Sequence, residues 1–254
     1  MAPAPVSPPR RRLAGRILAS LAAALALARG PAARAEEAPG AIIFNKAEAA
    51  GIGEPLRQDP ALLRSFPACP ADTFARERPV WRRAFAPRRP TERRCAREPA
   101  ACFVLCTRWS NAPACFDLAL AFEHHSLDVP DILDKERLYA LACAGGFPAG
   151  CTNRAAGIRN GGYAADPFRD APRADTDACL ARSFRLDCDR RGAWGCAMLG
   201  QAYRLGEGVL AEASRARAAF DMACAINPDF AACAFAKRQV AEMDAPPDSA
   251  DDAP

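Results

Sequence analysis

The chain has 254 residues, 50% of them hydrophobic and 25% charged, with 34 basic against 30 acidic residues, two histidines and twelve cysteines. A charge this close to balance supplies no global basic face for nucleic acid. One adjacent histidine pair, His124 and His125, cannot supply the ligands of a zinc enzyme.

The first 35 residues hold Arg10, Arg11, Arg12 and Arg16, then an apolar run from Ile17 to Ala28, then Ala33-Arg34-Ala35 before Glu36. A charged start, an apolar core of about a dozen residues and a small-x-small cleavage site predict a secretory signal over 1–35. A spanning helix needs about 20 apolar residues, so contact with a membrane is expected only if the signal stays uncleaved. The segment carries six arginines and no acids, and its removal leaves 28 basic against 30 acidic residues, a net of −2. All twelve cysteines lie in the remaining chain, an even number, which predicts disulfides in an oxidising compartment, periplasmic or extracellular.

Residues 36–60 mix Gly, Ala and Pro with few large apolar groups and read as a flexible lead-in. Residues 61–105 read as a degenerate N-terminal cap or repeat, with Cys69 at its first end. Within it, from Arg76 to Arg97, nine arginines stand against two glutamates, interleaved with Trp81 and Phe85. That cluster reads either as a site for an acidic partner, an anionic lipid or a polysaccharide, or as a solvated cap helix.

Residues 106–243 are organised by two cysteine series in step. Cys69, Cys106, Cys143, Cys188 and Cys224 are separated by 37, 37, 45 and 36 residues, and Cys115, Cys151, Cys196 and Cys233 by 36, 45 and 37. A period near 36 is that of a repeat array, whose units bury their apolar faces against neighbours. Phe66, Tyr139, Phe184 and Phe220 each precede a cysteine of the first series by three or four positions, which puts ring and sulfur on one helical face. Between Cys196 and Cys224 the unit is plainest: Met198, Leu199, Ala202 and Tyr203 form one stripe, Gly206 and Gly208 break the helix, and a second helix runs from about Ala211 to Cys224. Between Cys115 and Cys143, Leu118, Leu120 and Phe122 predict a first helix and Asp128-Val129-Pro130 the start of a second. The longer interval between Cys151 and Cys188 is taken up by Asn160-Gly161-Gly162 and residues 166–175, expected as a surface loop. A last short helix runs to about Met243, and 244–254 read as a disordered acidic tail.

Close pairs straddle the unit junctions: Cys106 with Cys115, Cys143 with Cys151, Cys188 with Cys196 and Cys224 with Cys233. The turns between them let the chain reverse, so each pair can come within disulfide reach and clip one unit to the next. Structural metal is the competing reading, and no Cys-x2-Cys spacing supports it. Cys69, Cys95, Cys102 and Cys179 lack an obvious partner. Cys102 and Cys106, four apart on a predicted helix, read as a reactive or cofactor-binding thiol pair or, the expectation here, as members of further structural disulfides.

These residues resemble the Sel1-like repeat family, a branch of tetratricopeptide-like solenoids, and its cysteine-rich secreted members such as the Helicobacter cysteine-rich proteins. The resemblance is carried by Gly195-Cys196-Ala197-Met198-Leu199-Gly200, by Tyr203 with Gly206-Glu207-Gly208-Val209, and by Ala218-Ala219-Phe220 with Ala223-Cys224. It covers about residues 100–243. It implies an all-α, right-handed α/α solenoid clipped by disulfides, used as a scaffold for a protein or peptide, with Trp109, Phe116, Leu120, Arg154, Met198 and Tyr203 on its concave face. A monomer without cofactor is expected.

Some cysteine-rich relatives are β-lactam-binding proteins or β-lactamases, which makes β-lactam hydrolysis the alternative. Another relative assists assembly of a redox enzyme, a second alternative. Against the first, none of the eight serines is followed by lysine at the third position, and no Lys-Thr-Gly occurs. Glu123-His124-His125 is a poor catalytic candidate, since adjacent histidines on a helix point to different faces. Gly51-Ile52-Gly53 is too short for a phosphate loop.

Overall fold

The computed structural model describes residues 44–75, 88–125, 135–161 and 166–245, all within a unit that runs from Ile42 to Pro254. Residues 1–35, expected as a secretory signal, and most of the acidic tail lie outside them. So do residues 76–87, with Arg76, Arg78, Trp81, Arg82, Arg83 and Phe85 of the arginine cluster, and the helix start expected at Asp128-Val129-Pro130.

The described residues are all-α and contain no strand. Four short helices come first: α1 (Lys46–Ala50), α2 (Gly53–Arg57), α3 (Pro60–Ser65) and α4 (Pro70–Thr73). The stack proper comprises α5 (Glu92–Arg97), α6 (Pro99–Thr107), α7 (Ala112–His125), α8 (Lys135–Ala144), α9 (Pro148–Arg159), α10 (Arg173–Cys188), α11 (Ala193–Leu205), α12 (Ala213–Ile226) and α13 (Ala231–Asp244), with one 3₁₀ turn at Pro167–Asp170. From α5 on each helix packs on the next, and α5 packs on α7 as well. Also α9 touches α11, and α11 touches α13, so first helices of successive units stack in a solenoid-like arrangement. No helix among the described residues is long and apolar enough to cross a membrane.

Local chemistry fixes the ends. Asp59 caps α3, its Oδ1 accepting from the Ala61 and Leu62 amides at 2.9 Å each, with Pro60 in the first turn. Thr91 caps α5 through the Arg94 amide. Gly206 ends α11 in the left-handed region at φ 73°, as the sequence expects of a C-terminal glycine. The stripe of Met198, Leu199, Ala202 and Tyr203 is buried. So are the periodic aromatics Phe66, Tyr139, Phe184 and Phe220, no more than 8% exposed. Their three-or-four spacing from cysteine is therefore a core pattern.

The N-terminal part packs on the stack. Residues expected as a loose lead-in carry α1 and α2 and place Ile52 and Leu56 in the apolar cluster formed with Leu118, Phe122, Leu138 and Tyr139. In residues 61–75, α3 packs on α8, and α4 packs on α8, α9 and α10. That short turn lies across three successive helices.

Candidate functional site

All twelve cysteines are paired and none is free. At the unit junctions the structure joins Cys106 to Cys115, Cys143 to Cys151, Cys188 to Cys196 and Cys224 to Cys233, with Cα–Cα distances of 4.7, 4.7, 4.4 and 4.4 Å. Such close approach requires a small residue just before the second cysteine, and Ala114, Gly150, Gly195 and Ala232 stand there. A Cβ on Gly150 would lie 2.8 Å from the Cys143 amide nitrogen, and one on Gly195 2.7 Å from that of Cys188. The remaining four pair as Cys95–Cys102 and Cys69–Cys179, seven and 110 residues apart. Cys102 and Cys106 thus belong to different bridges, and no thiol remains for a nucleophile or a thiol-held cofactor.

The second unit, α9 and α10, is unlike the others. Aligned on the second cysteine of each clip, Leu118, Arg154, Leu199 and Ala236 are equivalent, and all four are buried. An arginine here sits in a leucine's place. Thr152, Ser183 and Asp187 of the same unit, and Asp166 from the insertion before α10, are also at most 3% exposed. These side chains form a polar seam along the same two helices that give Ala155, Ile158, Leu180 and Phe184 to the C-terminal apolar cluster. The insertion expected as a surface loop is therefore anchored inward: Arg154 needs a counter-ion, and Asp166 supplies it.

The seam is hydrogen-bonded throughout. Arg154 Nε donates to Asp166 Oδ2 at 2.7 Å and Nη2 to Oδ1 at 3.0 Å, a two-pronged pair buried on both sides. The same guanidinium donates to the carbonyls of Ala68 (3.2 Å) and Phe66, and lies 4.9 Å over the Phe66 ring. Arg137 covers that ring at 5.1 Å. Further along, the Cys69–Cys179 bridge fastens the segment to α10. The Ala71 amide donates to Ser183 Oγ, and that hydroxyl donates to the Cys179 carbonyl. Arg182 Nη2 donates to both Asp72 oxygens at 3.1 and 3.3 Å, and Arg190 lies 4.7 Å over the Phe74 ring. Residues 66–74 are thus a strap held by arginines from α8, from α9, from α10 and from the turn after it.

Asp187 belongs to the seam and to a clip. Thr152 Oγ1 donates to its Oδ2 at 2.8 Å, and the start of α11 closes over it, so a Cβ on Gly192 would fall 2.1 Å from its carboxylate. Burial pushes its pKa above the ordinary aspartate value, against the lowering effect of Thr152, the Gly195 amide and Arg190.

The six residues expected on a concave face do not share one open surface. Trp109 is 59% exposed. Phe116 packs against Tyr139 and Phe147, with centroids 5.6 and 4.9 Å apart, and Leu120 packs on the N-terminal cluster. Arg154 is consumed by the strap, and Met198 and Tyr203 lie in the C-terminal cluster, the Tyr203 hydroxyl accepting from Arg185 at 2.8 Å. Glu123 and His124 take different partners: Glu123 accepts from the Tyr139 hydroxyl, and His124 Nδ1 lies 2.8 Å from Glu92. Within the described part of the arginine cluster, Arg89 makes a two-pronged pair with Asp117 at 2.7 Å and Arg94 pairs with Glu98. Two clefts, one against the first clip beside Thr107 and Ser110 and one beside Phe66 and Arg137, measure about 180 and 150 Å³.

Comparison of the chain with protein-family models, with curated proteins and with solved structures found no match in any of the three.

Proposed function

We propose that the protein is an exported scaffold that holds a protein or peptide partner in the cell envelope or outside the cell, as its resemblance to Sel1-like repeats implies. The observation that carries this reading is the strap. Side chains from three successive helices together grip a short segment, part of it the single helical turn α4, through its carbonyls, its rings and its carboxylate, which is what a peptide-holding solenoid does. Support comes from the full pairing of the cysteines, which suits an oxidising compartment and keeps the helix surfaces in fixed register.

The test is capture from an envelope extract on immobilised oxidised protein, with the reduced and alkylated chain as control. The reading expects the same polypeptides to be enriched on the oxidised chain in repeated captures, and enrichment lost with Trp109→Ala would place the exposed indole in the contact. Equal recovery on both baits would overturn it.

A further inference from the structure

We infer that the strap is a built-in occupant of an exchangeable peptide site. The cradle of Arg137, Arg154, Arg182 and Arg190 would receive, from a partner, a peptide of the same chemistry: an aromatic residue, then a carboxylate six positions on, then a second aromatic two beyond it. The inference rests on the scaffold reading and names the ligand class of one of its faces.

Three features separate the strap from ordinary core. Its recognition is modular: the Phe66 ring meets two guanidiniums at 4.9 and 5.1 Å, Asp72 meets a third and Phe74 a fourth. Its outer half is held at the surface, where the Arg182–Asp72 pair is 53% and 60% exposed, so those contacts can open singly. Arg154 spends hydrogen bonds on main-chain carbonyls, which any peptide offers, in a position that the other units fill with leucine or alanine. One covalent contact, Cys69–Cys179, keeps the segment in place, and it closes a far longer loop than any clip.

The experiment uses the full chain with Cys69→Ser, which leaves Cys179 as a thiol. The probe is a synthetic peptide of residues 66–74, Phe-Pro-Ala-Cys-Pro-Ala-Asp-Thr-Phe, with its cysteine activated as a mixed disulfide with thionitrobenzoate. The Cys179 thiolate attacks the peptide sulfur, a new S–S bond forms, the bond to the aryl sulfur breaks, and thionitrobenzoate leaves as an anion. No other oxidant is needed. The rate is read from the coloured leaving group and the product from its mass.

The proposal expects capture at least tenfold faster than for a permuted peptide of the same composition with cysteine kept fourth. A peptide with asparagine for its aspartate and alanine for its last phenylalanine should lose most of that advantage. Equal rates, or no capture, would overturn the proposal. If Cys69→Ser loses its helical circular dichroism, the double variant Cys69→Ser/Cys179→Ser is tested with a fluorescein-labelled peptide by polarisation. Loss of helix there too would make the strap a structural member and end the proposal. Success in extract capture with failure here removes this inference alone, whereas failure in extract capture removes the scaffold reading.

Discussion

Arg154 shows how one residue can redirect a repeat. In three units the third position after the clip's second cysteine is an aliphatic core residue, and in the second unit the same position holds a guanidinium with no exposed surface. Removing it would strip the buried Asp166 carboxylate of its counter-ion, leaving it the Phe168 amide, and would take the guanidinium away from two carbonyls. Arg154→Leu should therefore cost about 3–5 kcal/mol in urea unfolding, and adding Asp166→Leu should recover part of that, because the charge left behind does the damage. The sequence did hold the signal, since aligning the units on their cysteines sets Arg154 against Leu118 and Leu199. The arginine was expected on an open face because it stands on a unit's first helix, which the repeat resemblance places along the concave side. Its partner was hidden further: nothing in the 166–175 stretch marks Asp166 as inward-facing, because burial of a loop carboxylate depends on a contact made only in the fold. Asp187 titrates with a distinct sign. Its folded pKa lies above its unfolded one, so the stability it contributes is fully present below the unfolded value and is lost as pH rises through the folded value. Melting temperatures from pH 7 down to pH 4 should show a rise attributable to this group in the native chain, and Asp187→Asn should flatten it.

At the scale of elements the clips dominate, and they were the most legible feature. Period, spacing and turn residues identified the four junctions, because a helix pair that must stack in register places its cysteines in register. The small residue before each second cysteine is the geometric condition that spacing alone does not state. Each clip loop also carries an aromatic residue, Trp109, Phe147, Trp194 or Phe230, and in the last two junctions the rings touch, with centroids 6.2 Å apart. The glycine turn after α11 does two jobs that a side chain would spoil. Gly208 has φ 67°, and a Cβ there would fall 2.0 Å from the Asp177 carbonyl oxygen. Gly161 has nearly the same φ, 68°, but open space around it. Thermal unfolding should therefore show Gly161→Ala costing about 1 kcal/mol, the conformational part alone, and Gly208→Ala clearly more. Equal losses would mean that the loop before Gly208 yields to the added methyl.

For the whole molecule, the departure from a plain repeat array is the chain's return on itself. Local spacing could not show it, since Cys69 and Cys179 are 110 residues apart and four unassigned cysteines allow three pairings. In the chain-entropy picture, closing nine residues contributes about 2.6 kcal/mol and closing 110 about 4.8 kcal/mol. Replacing Cys69 and Cys179 with serine should thus lower unfolding stability by roughly 2 kcal/mol more than replacing Cys224 and Cys233, as read by chemical denaturation of the oxidised variants. The same bridge distinguishes a solenoid that carries its own strap from one with an open face. Non-reducing peptide mapping of the protein produced under oxidising conditions, with alkylation to count thiols, tests this most directly. The account predicts no free thiol and six bridges, including a peptide pair joining Cys69 to Cys179. A free thiol at either position, or Cys69 bound to Cys95 or Cys102, would contradict it.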